Sequence, residues 1–258
     1  MRRDVESVLI TGAGSGIGRA LAVEAAKRGM AVALVGRRQE TLEATAALLG
    51  GPVPVLVLAA DVTAPGERRR LAASVEQAWG GLNALVNNAG VVEGGPVGAT
   101  DDAALDRVFA TNVVAPIALT REFLPLLKNR KPSRVVNVGS VFGDIPYPGF
   151  AAYSASKFAL RGFSIALRRE WTMLGIGVTY AAPRATRTAA AAAFGRLIEV
   201  AKMTLDEPDR VARQIWDAVE RGDHSVYPRG PERVFVLAQR LFPRLVDRAL
   251  AKHAAALA

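Results

Sequence analysis

Residues 151–160 read AAYSASKFAL, which puts Tyr153 four positions before Lys157. On a helix, residues four apart share one face, so a phenol and an ammonium would point the same way. On a solvated surface such a pair does little. In a cleft the cation favours the phenolate and lowers the phenol from its ordinary pKa of about 10. Such a tyrosine can give a proton in one direction of a reaction and take it back in the other.

A second constellation lies near the start of the chain. The apolar stretch SVLIT (7–11) runs straight into TGAGSGIGRAL, with glycines at 12, 14, 16 and 18. Bare backbone N–H groups at such a turn can approach a pyrophosphate, and the helix that follows directs its positive end at the phosphates. The spacing is T-G-x-x-x-G-x-G rather than G-x-G-x-x-G, because Arg19 stands where the third glycine of the latter would be. Thr11, Gly12, Gly14, Ser15, Gly16, Ile17 and Gly18 are the candidate cofactor contacts here. About 20 residues beyond such a turn, NAD-binding chains place an acid against the ribose hydroxyls. Here the second apolar run ends LVGRRQE, with Gly36 in that place and Arg37 and Arg38 after it. A guanidinium fork suits a phosphate dianion, so the arginines predict NADP(H) over NAD(H). The competing reading is that both merely solvate the start of the next helix.

These groups need a scaffold, and the hydrophobic pattern supplies one. Residues 7–11, 31–36, 53–60, 84–88, 134–140 and 177–183 form short Val- and Leu-rich runs without alternation, as strands do when a parallel sheet is covered on both faces. Helical stretches lie between them, the first ending at Gly29. The fold class is therefore α/β: a doubly wound, Rossmann-type parallel sheet in a single domain over 1–230, with a short amphipathic helical extension at 231–258. Half of the 258 residues are hydrophobic, enough for a full core. The chain has no cysteine, which excludes disulfides and thiolate chemistry and fits a reducing compartment. Its two histidines, His224 and His253, are far apart and expected at the surface, so no metal site is expected. The start of the chain lacks the apolar stretch of a signal peptide, and no run of about 18 apolar residues predicts a membrane span. A cytoplasmic location is expected.

Together, TGAGSGIG at 11–18, NNAG at 87–90, Ser140 and the Tyr153-x-x-x-Lys157 pair resemble the short-chain dehydrogenase/reductase family over residues 5 to 230. The resemblance implies an oxidoreductase that moves a hydride between a nicotinamide and a carbonyl/alcohol pair. It implies that Asp61 meets the adenine amino group with Val62 beside the ring, and that Asn88, Ala89 and Gly90 support the cofactor cleft. Asn112 matches a helix-embedded asparagine that holds a water in a proton relay. Ser140, Tyr153 and Lys157 match the catalytic trio, with Lys157 also on the nicotinamide ribose. Pro183 and Thr188 match the loop that meets the nicotinamide carboxamide. That loop reads PRATRT, so Arg184 replaces the family's usual glycine. Either the loop takes another path, or the guanidinium reaches cofactor phosphate or substrate. A homodimer or homotetramer joined through the helices of Asn112 and Tyr153 is also implied.

The loops at 91–97 and 141–150 and a lid-like segment at 184–205 are rich in Val91, Val92, Phe142, Ile145, Tyr147, Phe150, Phe194, Leu197 and Ile198. A pocket made of them suits a lipophilic substrate; Glu93 and Asp144 read as loop-surface acids. In the extension, Val234, Leu237, Leu241 and Leu245 follow helical spacing beside Arg233, Arg240, Arg244 and Arg248, and Pro243 should break the helix. This stretch either docks on protein or lies on an anionic membrane. The net charge of +9 is dispersed and carries no nucleic-acid module, so nucleic acid is not an expected partner. A catalytically silent cofactor-binding sensor of the same fold is the alternative to an enzyme, kept open by Arg184.

Overall fold

The computed structural model describes residues 6–200, 203–228, 230 and 232–257. Strands and helices alternate: β1 Ser7–Thr11, α1 Gly16–Lys27, β2 Ala31–Gly36, α2 Gln39–Ala46, β3 Val55–Ala59, α3 Pro65–Trp79 and β4 Ala84–Asn87. Then come α4 Asp102–Phe109, a π-helical turn at Ala110–Val114, α5 Ala115–Asn129, β5 Ser133–Val138, α6 Ala151–Glu170 and β6 Ile176–Ala181. The chain continues through α7 Gly195–Val200, α8 Pro208–Glu220, β7 Ser225–Val226, α9 Glu232–Leu241 and α10 Pro243–Leu257.

All ladders are parallel, and the sheet order is β3-β2-β1-β4-β5-β6-β7. The chain winds outward from β1 to β3, returns to pair β4 with β1, and winds outward on the other side. The reversal between β1 and β4 opens a crevice at the carboxyl ends of the strands, where ligands of such sheets bind. The six expected strands are present within a few residues. Expectation ran long at 139–140, which lie beyond β5, and missed β7, a two-residue edge strand too short to leave a pattern.

Successive residues of a strand face opposite sides. Val8 and Ile10 join Leu21, Ala25, Ile215 and Trp216 on the α1/α8 side, while Leu9 joins Leu71, Leu119, Phe123 and Leu127 on the α3/α5 side. Both faces are dry, which accounts for strands without polar alternation. Gly29, in the left-handed region at φ 79°, ends α1 as expected, its N–H bonding Ala26 O at 2.9 Å while Met30 N–H returns to Ala25 O at 3.1 Å. The stretch Asp102–Asn129 is long and apolar enough, by length and composition, to cross a membrane, whereas no such segment was expected. Its α5 packs on α3, β4 and β5, so the apolarity serves the core.

The extension folds as two helices broken at Phe242, and Pro243 opens the second, where its missing N–H costs nothing. Val236 and Val246 are buried, and Arg240 reaches the Asp144 carboxylate at 2.7 Å. One face of the extension therefore docks on its own domain. His224 is exposed, and the side chain of His253 lies outside the described residues.

Trp216 is the largest of the fully buried side chains, and its indole N–H donates to Leu21 O at 3.0 Å, tying α8 to α1. Trp216→Ala should lower the unfolding free energy by about 3–5 kcal/mol. Urea titration followed by circular dichroism measures it; a loss under 1 kcal/mol would show that α8 is not part of the cooperative core.

Candidate active site

A cavity of about 620 Å³ lies over the carboxyl ends of β1, β2, β4, β5 and β6. It is lined by the glycine loop, by Gly36 to Arg38, by Asp61 and Val62, by Asn88 to Val92, and by Ser140, Phe142, Tyr153, Lys157, Pro183, Arg184, Thr188, Phe194 and Met203. Of the candidate catalytic and cofactor-binding residues, only Thr11 and Asn112 are not among its lining residues.

The glycine loop is shaped for close approach. Gly16 has φ 54°, and a Cβ there would stand 2.9 Å from the Thr188 methyl; a Cβ at Gly18 would collide with the Gly12 carbonyl. Ser15 makes no side-chain cap to α1, so the first-turn N–H groups stay available to an anion. Arg19 closes the loop from below, donating to Gly14 O at 2.6 Å and to Thr45 Oγ at 3.1 Å. Thr11 is a buried clamp rather than a ligand. Its hydroxyl accepts from the Asn88 and Ala89 N–H groups at 2.9 and 3.0 Å, while Asn88 Nδ2 donates back to Thr11 O at 2.9 Å. That lock fixes the Asn88–Gly90 turn against the glycine loop.

Arg37 and Arg38 are exposed at the cavity edge and make no ion pair among the described residues. Asp61 Oδ1 accepts from Thr63 N–H at 2.9 Å and Thr63 Oγ at 2.7 Å. Burial works against its charge, but the two Thr63 bonds and the Arg37 cation outweigh burial and hold the carboxyl below its ordinary value. The loop that carries it is pinned by buried Arg68, which donates to Val62 O and Thr63 O, both at 2.9 Å, and pairs with Glu122.

Tyr153 and Lys157 share the buried face of α6, with Lys157 Nζ 5.6 Å from the Tyr153 ring centroid. The expectation was that the cation lowers the phenol's pKa. The protein groups do the opposite: burial raises Tyr153 to about 12, opposed by a hydrogen bond from the Ser140 hydroxyl. Burial likewise lowers Lys157 to about 8. Dehydration disfavours both charged forms, and at this separation the ammonium does not compensate. Lys157 Nζ also donates to Val138 O at 3.3 Å.

Asn112 sits in the π-helical turn, a distortion frequent at functional sites. Its Oδ1 accepts from Val91 N–H at 2.9 Å, and its Nδ2 donates to Val91 O at 2.9 Å and Ser156 Oγ at 3.1 Å. It therefore fixes the backbone beside the cavity. Ser140 is held by Tyr180, a residue that sequence reasoning missed. The buried Tyr180 hydroxyl donates to Ser140 O at 3.1 Å and accepts from Ser140 N–H at 3.4 Å. Burial drives that phenol far above its ordinary value, so it stays a neutral strut.

Two further expectations need correction. Arg184 borders the cavity, but its guanidinium forks onto Asp206, Nε to Oδ2 at 2.9 Å and an Nη to Oδ1 at 2.8 Å, in a partly buried pair. Backbone bonds Arg187 N–H to Asp206 O and Asp206 N–H to Ala185 O complete the clamp at the foot of the lid. Asp144 is not a surface acid. It is fully buried and accepts from Tyr227 Oη at 2.9 Å and Arg240 at 2.7 Å, with Arg161 at 3.3 Å. A loop acid and its partners 83 and 96 residues away carry no joint sequence signal. Glu93 is the surface acid expected, paired with Arg107 at 2.9 Å.

Above Tyr153 the lid lays Phe194, its ring 5.8 Å from the phenol, 5.6 Å from Phe142 and 5.0 Å from Phe150. Val92, Tyr147, Leu197 and Met203 complete this apolar end. Tyr147, Phe150 and Leu197 belong to this apolar cluster without being among the cavity's lining residues, and Ile145 and Ile198, also expected there, belong to neither.

Proteins similar to this chain include dehydrogenases and reductases. A sulfoacetaldehyde reductase of Chromohalobacter salexigens is 38% identical over 186 residues, 71% of this chain and 73% of the relative. An estradiol 17-beta-dehydrogenase 11 of Rattus norvegicus is 32% identical over 252 residues, 94% of this chain and 82% of the relative. A solved short-chain dehydrogenase of Sphingobium yanoikuyae in complex with NADPH superposes with a TM-score of 0.80 at 29% identity, covering 94% of this chain and 96% of that one. Other solved relatives carry NAD or NADH. The model of the short chain dehydrogenase family matches residues 6–196, and with the glycine loop, Ser140, Tyr153 and Lys157 lining one cavity the chain belongs to that family of oxidoreductases.

Proposed function

We propose that this chain is an NADP(H)-dependent oxidoreductase that interconverts a lipophilic carbonyl and its alcohol, with Tyr153 as the proton donor and acceptor. The observation that carries the reading is the convergence of the Tyr153 phenol, the Ser140 hydroxyl bonded to it and the Lys157 ammonium in the cavity that the glycine loop borders. The glycine loop and α1 would hold the pyrophosphate, Asp61 and Val62 the adenine, Arg37 and Arg38 the 2′-phosphate, and Asn88, Ala89, Gly90, Pro183, Thr188 and Lys157 the nicotinamide half. When bound, the nicotinamide supplies or accepts the hydride. Arg37 and Arg38 support NADP(H) because they are exposed at the cavity edge and make no ion pair among the described residues.

On the protein side, Ser140 holds the substrate oxygen beside the phenol. In reduction Tyr153 gives its proton to the developing alkoxide, a contribution on the order of 10²–10⁴ in rate. Lys157, with its pKa lowered to about 8, then returns a proton to the phenolate. Oxidation runs the same transfers backwards. The ring cluster of Phe142, Phe150 and Phe194 favours an uncharged, apolar substrate, since a charge there would lose its water without a partner. The pairing with Asp206 gives Arg184 a structural use and removes the reason to prefer a silent sensor. Exposed Phe109, Val114, Ile117 and Phe158, on the helices that carry Asn112 and Tyr153, support a homodimer through that face.

In a screen of aliphatic, aromatic and steroidal carbonyls with NADPH, Tyr153→Phe should lose at least two orders of magnitude in kcat and keep its NADPH affinity by fluorescence titration. Turnover at the level of the unsubstituted enzyme would remove the phenol from the chemistry. Arg37→Ala with Arg38→Ala should weaken NADPH at least tenfold and leave NADH nearly unchanged, the size expected for lost charge-assisted bonds of about 1.5–3 kcal/mol. Equal losses for both cofactors would sink the 2′-phosphate assignment. Finally, Lys157 is lowered in the fold from 10.5 to about 8 and Tyr153 raised from 10.0 to about 12. Between pH 8 and 10.5 the unfolded lysine binds more protons than the folded one, so this residue makes stability rise with pH there; the tyrosine reverses the trend above 10. Urea melts of the cofactor-free protein should show the rise, and Lys157→Met should lack it; identical pH profiles for the two would contradict the burial of the ammonium.

A further inference from the structure

The extension presents one face to its own domain and another outward. Six large apolar side chains within residues 234–245 are each more than half exposed: Val234, Phe235, Leu237, Leu241, Phe242 and Leu245. Contiguous apolar surface of this kind on a monomer marks a contact site. It is not the unused remainder of the core contact, which Val236, Val246 and the Arg240–Asp144 pair already make.

Charge identifies the occupant. Arg244 and Arg248 are exposed beside the apolar face and make no ion pair among the described residues. Arg233 adds a third cation, with a long bond of 3.4 Å to Tyr227 O. A second copy of this chain, with net charge +9, would bring like charges against these arginines. An anionic surface instead accepts the guanidinium groups while the leucine and phenylalanine side chains enter the apolar layer beneath.

We propose that α9 and α10 hold the protein on an anionic lipid surface and place the substrate lid against it. α10 packs on α7, the lid helix whose Leu197 belongs to the apolar cluster around Tyr153. Arg240, from the opposite face of the extension, ties it to Asp144, two residues beyond Phe142 in the substrate loop. The membrane-facing helices are thus anchored to both walls of the apolar end of the cavity. A lipophilic substrate dissolved in the bilayer would meet the lid where it is already docked. This last step rests on the lipophilic reading of the pocket; the lipid contact itself does not.

Full-length protein is mixed with vesicles containing phosphatidylglycerol or with pure phosphatidylcholine vesicles and sedimented. It should pellet with the anionic vesicles and much less with the neutral ones. Each arginine neutralised near an anionic surface weakens partitioning about fivefold, so Arg244→Gln with Arg248→Gln should weaken it about twenty-five-fold. Leu237→Asp with Leu241→Asp should abolish it. Unchanged thermal melting and NADPH affinity of these surface variants confirm that they fold, and Tyr153→Phe should pellet like the unsubstituted protein, which separates lipid contact from chemistry. Protein that stays in the supernatant, binding indifferent to the leucine pair, or equal binding to both vesicle types overturns the proposal. So does a larger assembly in light scattering that the leucine pair dissolves, which would assign this face to a second copy.

Discussion

Removal of water from one face of α6 is the constraint that sets the acidity of Tyr153 and Lys157. In water a phenol is a slightly stronger acid than a lysine ammonium, about 10 against 10.4. Burial penalises phenolate and ammonium alike, so it moves the two values in opposite directions, Tyr153 up to about 12 and Lys157 down to about 8. The order of acidity is thereby inverted. On the proposed mechanism, a phenolate formed at Tyr153 would take its proton back from Lys157, and solvent would then reload the lysine. A cation that merely stabilised the phenolate would make the tyrosine easier to ionise and slower to reload. The Ser140 hydroxyl moderates the effect by bonding the phenol oxygen, and it is the group that can hold a substrate oxygen in the same place.

A site tuned by dehydration needs walls that do not move, and here they are made of paired buried polar groups. Tyr180 grips both backbone atoms of Ser140; Asn112 grips both backbone atoms of Val91 and reaches Ser156 on the helix of Tyr153. Beneath them Asn87 Nδ2 bonds Asn137 Oδ1 at 2.8 Å, and Asn137 Nδ2 bonds Ser164 Oγ at 2.8 Å, which joins β4, β5 and α6 in one line. In a dry interior an unpaired partner is expensive, so such chains specify one arrangement more sharply than apolar packing does. The same logic explains Thr11, whose hydroxyl aligns two loops without reaching the cavity.

The sequence carried the parts of this design that local physics writes into adjacent residues. Unalternating strands follow from a sheet dry on both sides; the glycine loop, Gly29 and Pro243 follow from backbone geometry; Tyr153 and Lys157 follow from helical spacing. What it hid were pairings across long separations. Nothing in residue 206 points to Arg184, and nothing in Asp144 points to Arg240, because an ion pair leaves no pattern when its members lie on different elements. The acidity of Tyr153 was misjudged for a related reason: spacing reports the neighbouring cation, but burial, which comes from the lid and the whole domain, is the larger effect.

The Arg184–Asp206 pair also constrains how the site opens. The bidentate pair and the buried Asp206 carboxylate make the foot of the lid a poor place for a hinge. The backbone bonds of Asp206 to Ala185 and Arg187 close the same point a second time. Between these fixed ends lie the short helical turn Ala189–Phe194 and α7. There the restraint is aromatic contact, on the order of 0.5–1.5 kcal/mol per ring pair, and Phe194 makes three such contacts. An apolar substrate that takes the place of that ring against Phe142, Phe150 and Tyr153 replaces each lost contact with one of its own. On the lipophilic reading proposed above, entry would be nearly balanced for an apolar guest and uphill for a polar one, because the contacts to be replaced are aromatic.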